Sequence, residues 1–244
     1  MPSSTSAPVT VVIGAGPGLG MSVAHRFGRA GHRVALVSRT AARHAGYLSS
    51  LADAGVTASA HAADVRVADQ LHAALDAIRE RHGRIDVVYY GPAAMDPSSS
   101  PVPITEVGRA SVEDAMSWVY PAVDVVTSVL PEMVARGDGG LLFGGGLSAV
   151  LPMPALGNLA VSSAALRNYA LTLNAGLAEH GVYAGMLTIG GLIERGDIHT
   201  HIAADPGTFG DLSNATLNPD DLAEAAWGMY ERRDRAEETF NVLG

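Results

Sequence analysis

The sequence predicts an α/β protein: a single domain with one doubly wound parallel sheet and helices on both faces. Two observations carry this. The 244 residues are 48% hydrophobic and 17% charged, which is long enough for one substantial core and too apolar for disorder. Short β-branched runs alternate six times with longer stretches of helical periodicity, the pattern of a parallel sheet covered on both sides. Right-handed crossovers then place ligands at the carboxyl ends of the strands.

Taken in chain order, residues 1–8 are small and polar and read as a flexible N-terminus, with residues 9–244 forming the domain. The first strand, 9–13, runs into a glycine-rich turn, and a helix at 19–30 follows. The second strand, 33–38, ends at Ser38-Arg39 before a helix at 41–54. The third, 56–60, is followed by Asp64-Val65 and a helix at 68–82. A fourth strand at 85–89 leads through an irregular region at 95–103, with three prolines and three serines, to a long helix at 112–136. The fifth strand, 141–143, meets Gly144-Gly145-Gly146 before a helix at 156–180. The sixth, 182–189, opens into a polar, proline- and glycine-broken stretch at 190–218 that reads as a substrate lid. A helix at 219–232 and an edge strand at 239–243 close the chain.

Composition excludes several chemistries. All 16 basic residues are arginine, so no lysine is present to form a Schiff base or to sit in a phosphate loop. No cysteine is present, which removes thiol nucleophiles, disulfides and thiolate metal sites. The formal charge of −9 repels a phosphate backbone, so nucleic acid is not an expected partner. The N-terminus lacks the basic start and apolar stretch of a secretion signal, and a cytoplasmic protein is expected. The long uncharged segment 139–166 is broken by its glycine run, Pro152 and Pro154, which argues for burial in protein and against a membrane span.

The sharpest motif is Gly14-Ala15-Gly16-Pro17-Gly18-Leu19-Gly20, between the first strand and its helix. Glycines let a backbone turn tightly and approach a pyrophosphate, and the free amides of the helix start face its charge, as in a Rossmann-like dinucleotide site. Where an NAD site would place a carboxylate on the ribose hydroxyls stand Ser38 and Arg39, with Arg43 one turn later. An arginine there pairs with a 2′-phosphate, so NADP(H) is the expected cofactor.

With these residues the chain resembles the short-chain dehydrogenase/reductase family over nearly its whole length. Gly14, Gly18 and Gly20 match the family's first turn, although Ile13 replaces the usual threonine. Asp64-Val65 resembles its adenine-contacting pair, and Leu130-Pro131-Glu132-Met133 and Gly181-Val182-Tyr183 are further matches. The resemblance implies that Gly16, Leu19, Gly91 and Ile193 also line the cofactor, and that the long helices 112–136 and 156–180 assemble the chain into a homo-oligomer, a tetramer or a dimer.

The family's catalytic pattern fails here. Aligning Ser163-Ala164-Ala165-Leu166 with the run after the family's tyrosine puts Leu159 at the tyrosine position and Ser163 at the lysine position. The serine position falls on Gly146, and the asparagine position on Trp118, or on Tyr120 if the register slips. The motif after the fourth strand reads Tyr90-Gly91-Pro92-Ala93, the Pro-Gly after the sixth reads Gly190-Gly191, and the following threonine reads Arg195. Tyr90 and Tyr120 are the candidate replacement acids, each against the plainer reading of a half-buried tyrosine. Trp118, Gly146, Ser148, Met153, Asn158 and Leu159 are expected to line the substrate pocket. His199 and His201, with Asp197 and Glu194 nearby, lack a third His or Cys, so no metal is expected.

Three readings follow. The first is an NADP-dependent oxidoreductase acting on a small organic substrate, such as an imine or conjugated carbonyl, that needs little protein acid. The second is an inert NADP(H)-binding protein or sensor. The third is a cyclase or isomerase that reuses the cleft for proximity and shape.

Overall fold

A computed structural model of the chain describes residues 7–92, 101–204 and 214–243. Seven parallel strands form the central sheet: β1 (Val9–Ile13), β2 (Arg33–Ser38), β3 (Ala58–Ala62), β4 (Val87–Tyr90), β5 (Gly139–Gly146), β6 (Val182–Gly190) and β9 (Glu237–Asn241). Their spatial order is β3-β2-β1-β4-β5-β6-β9. The chain thus starts in the middle, winds outward to β3, and returns beside β1 to wind the other way. That reversal opens a crevice beyond the carboxyl ends of β1 and β4, where ligands of such sheets bind.

The two-residue alternation of strands sorts the core onto two faces. Val11 and Ile13 of β1 meet Leu71, Leu75 and Ile78 of α3 (Ala68–His82), together with α5 (Tyr120–Arg136) and α6 (Gly157–Leu177). Val12 meets Phe27 of α1 (Leu19–Arg29), Leu51 of α2 (His44–Asp53) and Leu222 and Met229 of α8 (Pro219–Arg232). All four residues of β4, Val87 to Tyr90, are buried, as a strand covered on both faces requires.

Several boundaries differ from the sequence expectation for physical reasons. The single long helix expected at 112–136 is two: α4 (Arg109–Met116) and α5, separated by a turn in which the Val119 amide donates to the Met116 carbonyl. Pro121, with no amide hydrogen, suits the first turn of a new helix better than a helix interior. β5 runs on through the glycine triplet, which pairs with Leu187, Thr188 and Ile189 of β6. β3 starts two residues later than expected, and Val56 instead closes α2, its amide donating to the Leu51 carbonyl. Within 190–218 lie β7 (Leu192–Ile193), α7 (Asp197–Ala203) and β8 (Thr216–Leu217), with β7 and β8 paired in parallel. The anchored chain begins before β1: Arg33 binds the Ala7 carbonyl through its guanidinium and the Pro8 carbonyl through its amide. No helix among the described residues is long and apolar enough to cross a membrane.

Two buried polar groups fasten the amino-terminal edge. The Asp86 carboxylate accepts from the Val9 amide at 2.8 Å and the Arg84 Nε at 2.6 Å, with Arg136 at 3.6 Å. It is 2% exposed, so removing it strands two cations and a buried amide. Asp86→Ala is expected to lower stability by about 3 kcal/mol, read from chemical denaturation at neutral pH.

His32 packs edge-on against Phe27 and Trp227, and a ring nitrogen lies 2.8 Å from the Thr10 hydroxyl. Burial lowers its pKa from 6.5 to about 4. Because the folded value lies below the unfolded one, its contribution is fully present above pH 6.5. It is lost as the pH falls toward 4, where the unfolded chain holds the extra proton. Stability is expected to drop by about 2–3 kcal/mol from this group between pH 7.5 and 4.5, and urea titrations of His32→Gln should show that pH slope reduced.

Candidate functional site

The crevice is built on glycine. Gly14 follows β1 with φ +93°, a left-handed conformation that side chains resist, and a Cβ there would lie 2.6 Å from the Gly91 carbonyl oxygen. The amides of Gly14 and Ala15 both donate to the Val37 carbonyl, and the Gly91 amide donates to that of Ile13. The turn is therefore clamped to β2 on one side and to the end of β4 on the other. A Cβ on Gly20 would meet the Gly14 carbonyl oxygen at 2.6 Å, which lets α1 start hard against the turn. A Cβ on Gly16 would make only ordinary contact, 3.9 Å from the Gly14 oxygen, and one on Gly18 would lie 3.1 Å from the Glu194 oxygen and from Gly196. No side chain caps α1 and its first turn carries no acid, while Arg26 and Arg29 stand in its last turn. Its amino-terminal dipole therefore faces the crevice without a carboxylate of its own helix, a surface suited to an anion. Leu19 is buried beneath it.

Beside this turn, the Ser38 hydroxyl donates to the Thr40 carbonyl at 3.1 Å and lies 2.7 Å from Nε2 of the buried His44. Arg39 is exposed. Arg43 forms a two-pronged ion pair, 2.8 and 2.9 Å, with Asp197 at the start of α7. An open cavity of about 600 Å³ runs from Pro17 along α1, bounded by Tyr47 and Ser50 of α2 and by Arg195.

Past the end of β3, Asp64 accepts from the Arg66 amide and from its guanidinium at 3.0 and 3.2 Å. Those bonds to Arg66 hold its carboxyl below the usual carboxylate range. Arg66 also lies 4.6 Å over the Trp118 ring. Trp118, expected in the substrate wall, thus joins the Asp64 group, and the neighbouring Val65 is buried. Ile193 lies on β7, and its carbonyl accepts from the Gly196 amide.

The substrate side gathers at the end of β5. A Cβ on Gly146 would lie 3.4 Å from the Ser163 hydroxyl and 3.5 Å from that of Ser148, so two hydroxyls from different elements converge on a position with no side chain. Neither hydroxyl has a hydrogen-bond partner among the described residues. In sequence Ser163 aligns only with the lost lysine; its approach to Gly146 depends on how α6 packs on β5, which leaves no sequence signal. Leu159 is 9% exposed, and Met153 is partly exposed ahead of a short 3-10 turn at Pro154–Leu156. Asn158 spends its side-chain oxygen on the Val102 amide at 2.9 Å, and the Val102 carbonyl accepts from the Gly157 amide. It braces the segment before α4 to the start of α6.

The two candidate acids separate. Tyr90 is 1% exposed and its hydroxyl donates to the Trp118 carbonyl at 2.6 Å, while burial pushes its pKa well above the usual tyrosine value. Tyr120, 56% exposed, stands at the start of α5. Arg195 has φ +65° and reaches to Ser22 at 3.2 Å and Asp220 at 2.8 Å. No cluster of three or more metal-ligating His, Asp or Glu side chains occurs among the described residues.

The chain is similar to known reductases in sequence and in fold. The chain is 28% identical over 178 residues to the very-long-chain 3-oxoacyl-CoA reductase of Aspergillus terreus, a match that covers 70% of this chain and 49% of that protein. The chain thus spans about half the length of that curated relative. Its fold superposes on the L-sorbose reductase of Gluconobacter frateurii, solved with NADPH and L-sorbose, with a TM-score of 0.83 at 20% identity, covering 99% of this chain and 97% of the other. A metagenomic short-chain oxidoreductase solved with NADP gives a TM-score of 0.78 at 20% identity over 98% and 99% of the two chains. The family model for short chain dehydrogenases matches residues 8–201, which is most of the sheet together with the glycine turn, and the chain therefore belongs to the short-chain dehydrogenase family.

Proposed function

We propose that the protein is an NADP(H)-dependent oxidoreductase that works without the family's tyrosine–lysine pair, on a small substrate that is already polarised, such as an imine or a conjugated carbonyl. The observation that carries this is the absence of any lysine, and the alignment of Leu159 with the family's tyrosine supports it. Losing a positioned general acid costs about 10²–10⁴ in rate, a burden that falls hardest on a plain ketone and least on a cationic or conjugated acceptor.

The residues present fit the dinucleotide. Gly14, Gly18 and Gly20 supply a turn with no side chains to obstruct a pyrophosphate, and the uncapped start of α1 supplies donors to it. Arg39 and Arg43 lie past the end of β2, where a 2′-phosphate would be met, beside Ser38. Asp64, Val65, Gly91 and Ile193 complete the expected lining. When bound, the cofactor supplies or accepts hydride. The chain's own part is to hold the substrate against it, with the Ser148 and Ser163 hydroxyls gripping one polar atom beside Gly146 and Leu159 and Met153 excluding water. Residues 190–218 are assigned as the cover, of which 205–213 lie outside the described residues.

The buried Tyr90 hydroxyl, already bonded to Trp118, favours one other reading: a protein that binds NADP(H) and does not turn it over. NADPH oxidation measured with a panel of ketones, imines and enones separates the two. The oxidoreductase reading expects turnover with imines or enones above ketones, and the absence of absorbance loss with every compound would refute it. On an accepted substrate, Ser163→Ala and Ser148→Ala are each expected to lower kcat/KM about tenfold, the scale of one lost hydrogen bond, while Tyr90→Phe stays close to wild type.

Assembly is proposed through α5 and α6. Tyr120, Val123 and Val161 are exposed apolar or aromatic side chains on these helices. Light scattering is expected to give a dimer or tetramer, and a monomer at all concentrations would refute the assembly.

A further inference from the structure

The one cation that the sequence offers as second support for a 2′-phosphate is engaged by a carboxylate of this chain. Arg43 sits at the amino end of α2, and both its terminal nitrogens bond the two oxygens of Asp197 at 2.8 and 2.9 Å. Both side chains are more than half exposed, so the pair exchanges partners readily.

Its position relative to the glycine turn is what matters. Gly196, next to Asp197, packs within 3.1 Å of where a Gly18 side chain would be, so α7 begins directly over the turn. Tyr47, one helical turn after Arg43, and Arg195, two residues before Asp197, both line the open cavity of about 600 Å³ that starts at Pro17. The ion pair therefore joins the two walls of the space beside the turn, on the side where β2 ends at Ser38. A phosphate entering there carries about two negative charges and three acceptor oxygens, more than the single carboxylate it would meet on Arg43.

We propose that Asp197 is a cofactor-specificity residue that competes with the 2′-phosphate of NADP(H) for the Arg43 guanidinium and so sets how strongly the phosphorylated dinucleotide is preferred over NAD(H). This rests on the NADP(H) reading given above. Asp197 weakens binding of the phosphorylated form alone, because NAD(H) has no group that asks for Arg43.

The test is a fluorescence titration with NADPH and with NADH on the wild type, Asp197→Asn, Asp197→Ala, Arg43→Gln and the Asp197→Asn/Arg43→Gln double variant. Circular dichroism of each checks the fold. Asp197→Asn and Asp197→Ala are expected to lower the Kd for NADPH about 2–5-fold, the range an exposed ion pair allows, and to leave NADH unchanged. In the Arg43→Gln background the Asp197 substitution should have no effect, since the competition has lost its object. An unchanged NADPH affinity in both Asp197 variants, or an equal change for NADH, overturns the proposal. If Arg43→Gln weakens NADPH and the Asp197 variants are silent, the competition alone fails. If the wild type binds NADPH no better than NADH and Arg43→Gln changes neither, the NADP(H) reading fails and the proposal falls with it.

Discussion

Everything at the ligand end of this protein depends on one close approach: the backbone of Gly14 against the backbone of Gly91, at the place where the sheet reverses its winding. A Cβ at Gly14 would be 2.6 Å from the Gly91 oxygen, and Gly20 makes a similar approach to Gly14 from the other side. These contacts let β1 end in a turn that α1 leaves at once, with its amide dipoles aimed over the carboxyl ends of β1 and β4. A side chain at either position would push the helix start away from the crevice. The sheet order then brings Ser38, Arg43 and Asp64 to one flank of that crevice, and Gly146 to the other.

Charge in this protein is organised by arginine alone. Arg84 and Arg136 serve the buried Asp86 at the amino-terminal edge, and Arg66 joins Asp64 to the Trp118 ring. Arg195 and Arg43 tether the segment after β6 to α8 and α2. A planar, permanently charged guanidinium is suited to such two-pronged and stacked contacts. It does not replace a lysine beside a reacting hydroxyl, because its charge is spread over a broad fork. On α6, Ser163 places a hydroxyl, as Ser148 does, beside the position that a Gly146 side chain would take.

The sequence made much of the fold legible, for reasons that can be stated residue by residue. β1 and β4 are continuous apolar runs because both their faces are covered, and α3 and α8 have the bounds that their periodicity predicts. Where the reading slipped, a tertiary contact overrode a local pattern. The glycine triplet reads as a loop, yet it pairs along β6 because Tyr89 and Met186 occupy the space that its side chains would need. Helical periodicity runs unbroken from 112 to 136, and only the turn at 117–119 reveals a change of helix.

The sequence by itself determined the parallel α/β architecture, the glycine turn and its place at the head of the first helix, and the absence of lysine and cysteine chemistry. Those follow from local residue type and from period, which need no knowledge of distant contacts. Only the tertiary structure decided which side chains are still available for work. It committed Tyr90 to a backbone carbonyl, Asn158 to Val102 and Trp118 to Arg66, and it brought Ser148 and Ser163 to the same glycine. It also joined Arg43 to Asp197, 154 positions apart in sequence, a pairing no local rule contains. The physical reason is the same each time: a polar group is claimed by the partner that packing places within about 3 Å, and packing is a property of the whole chain.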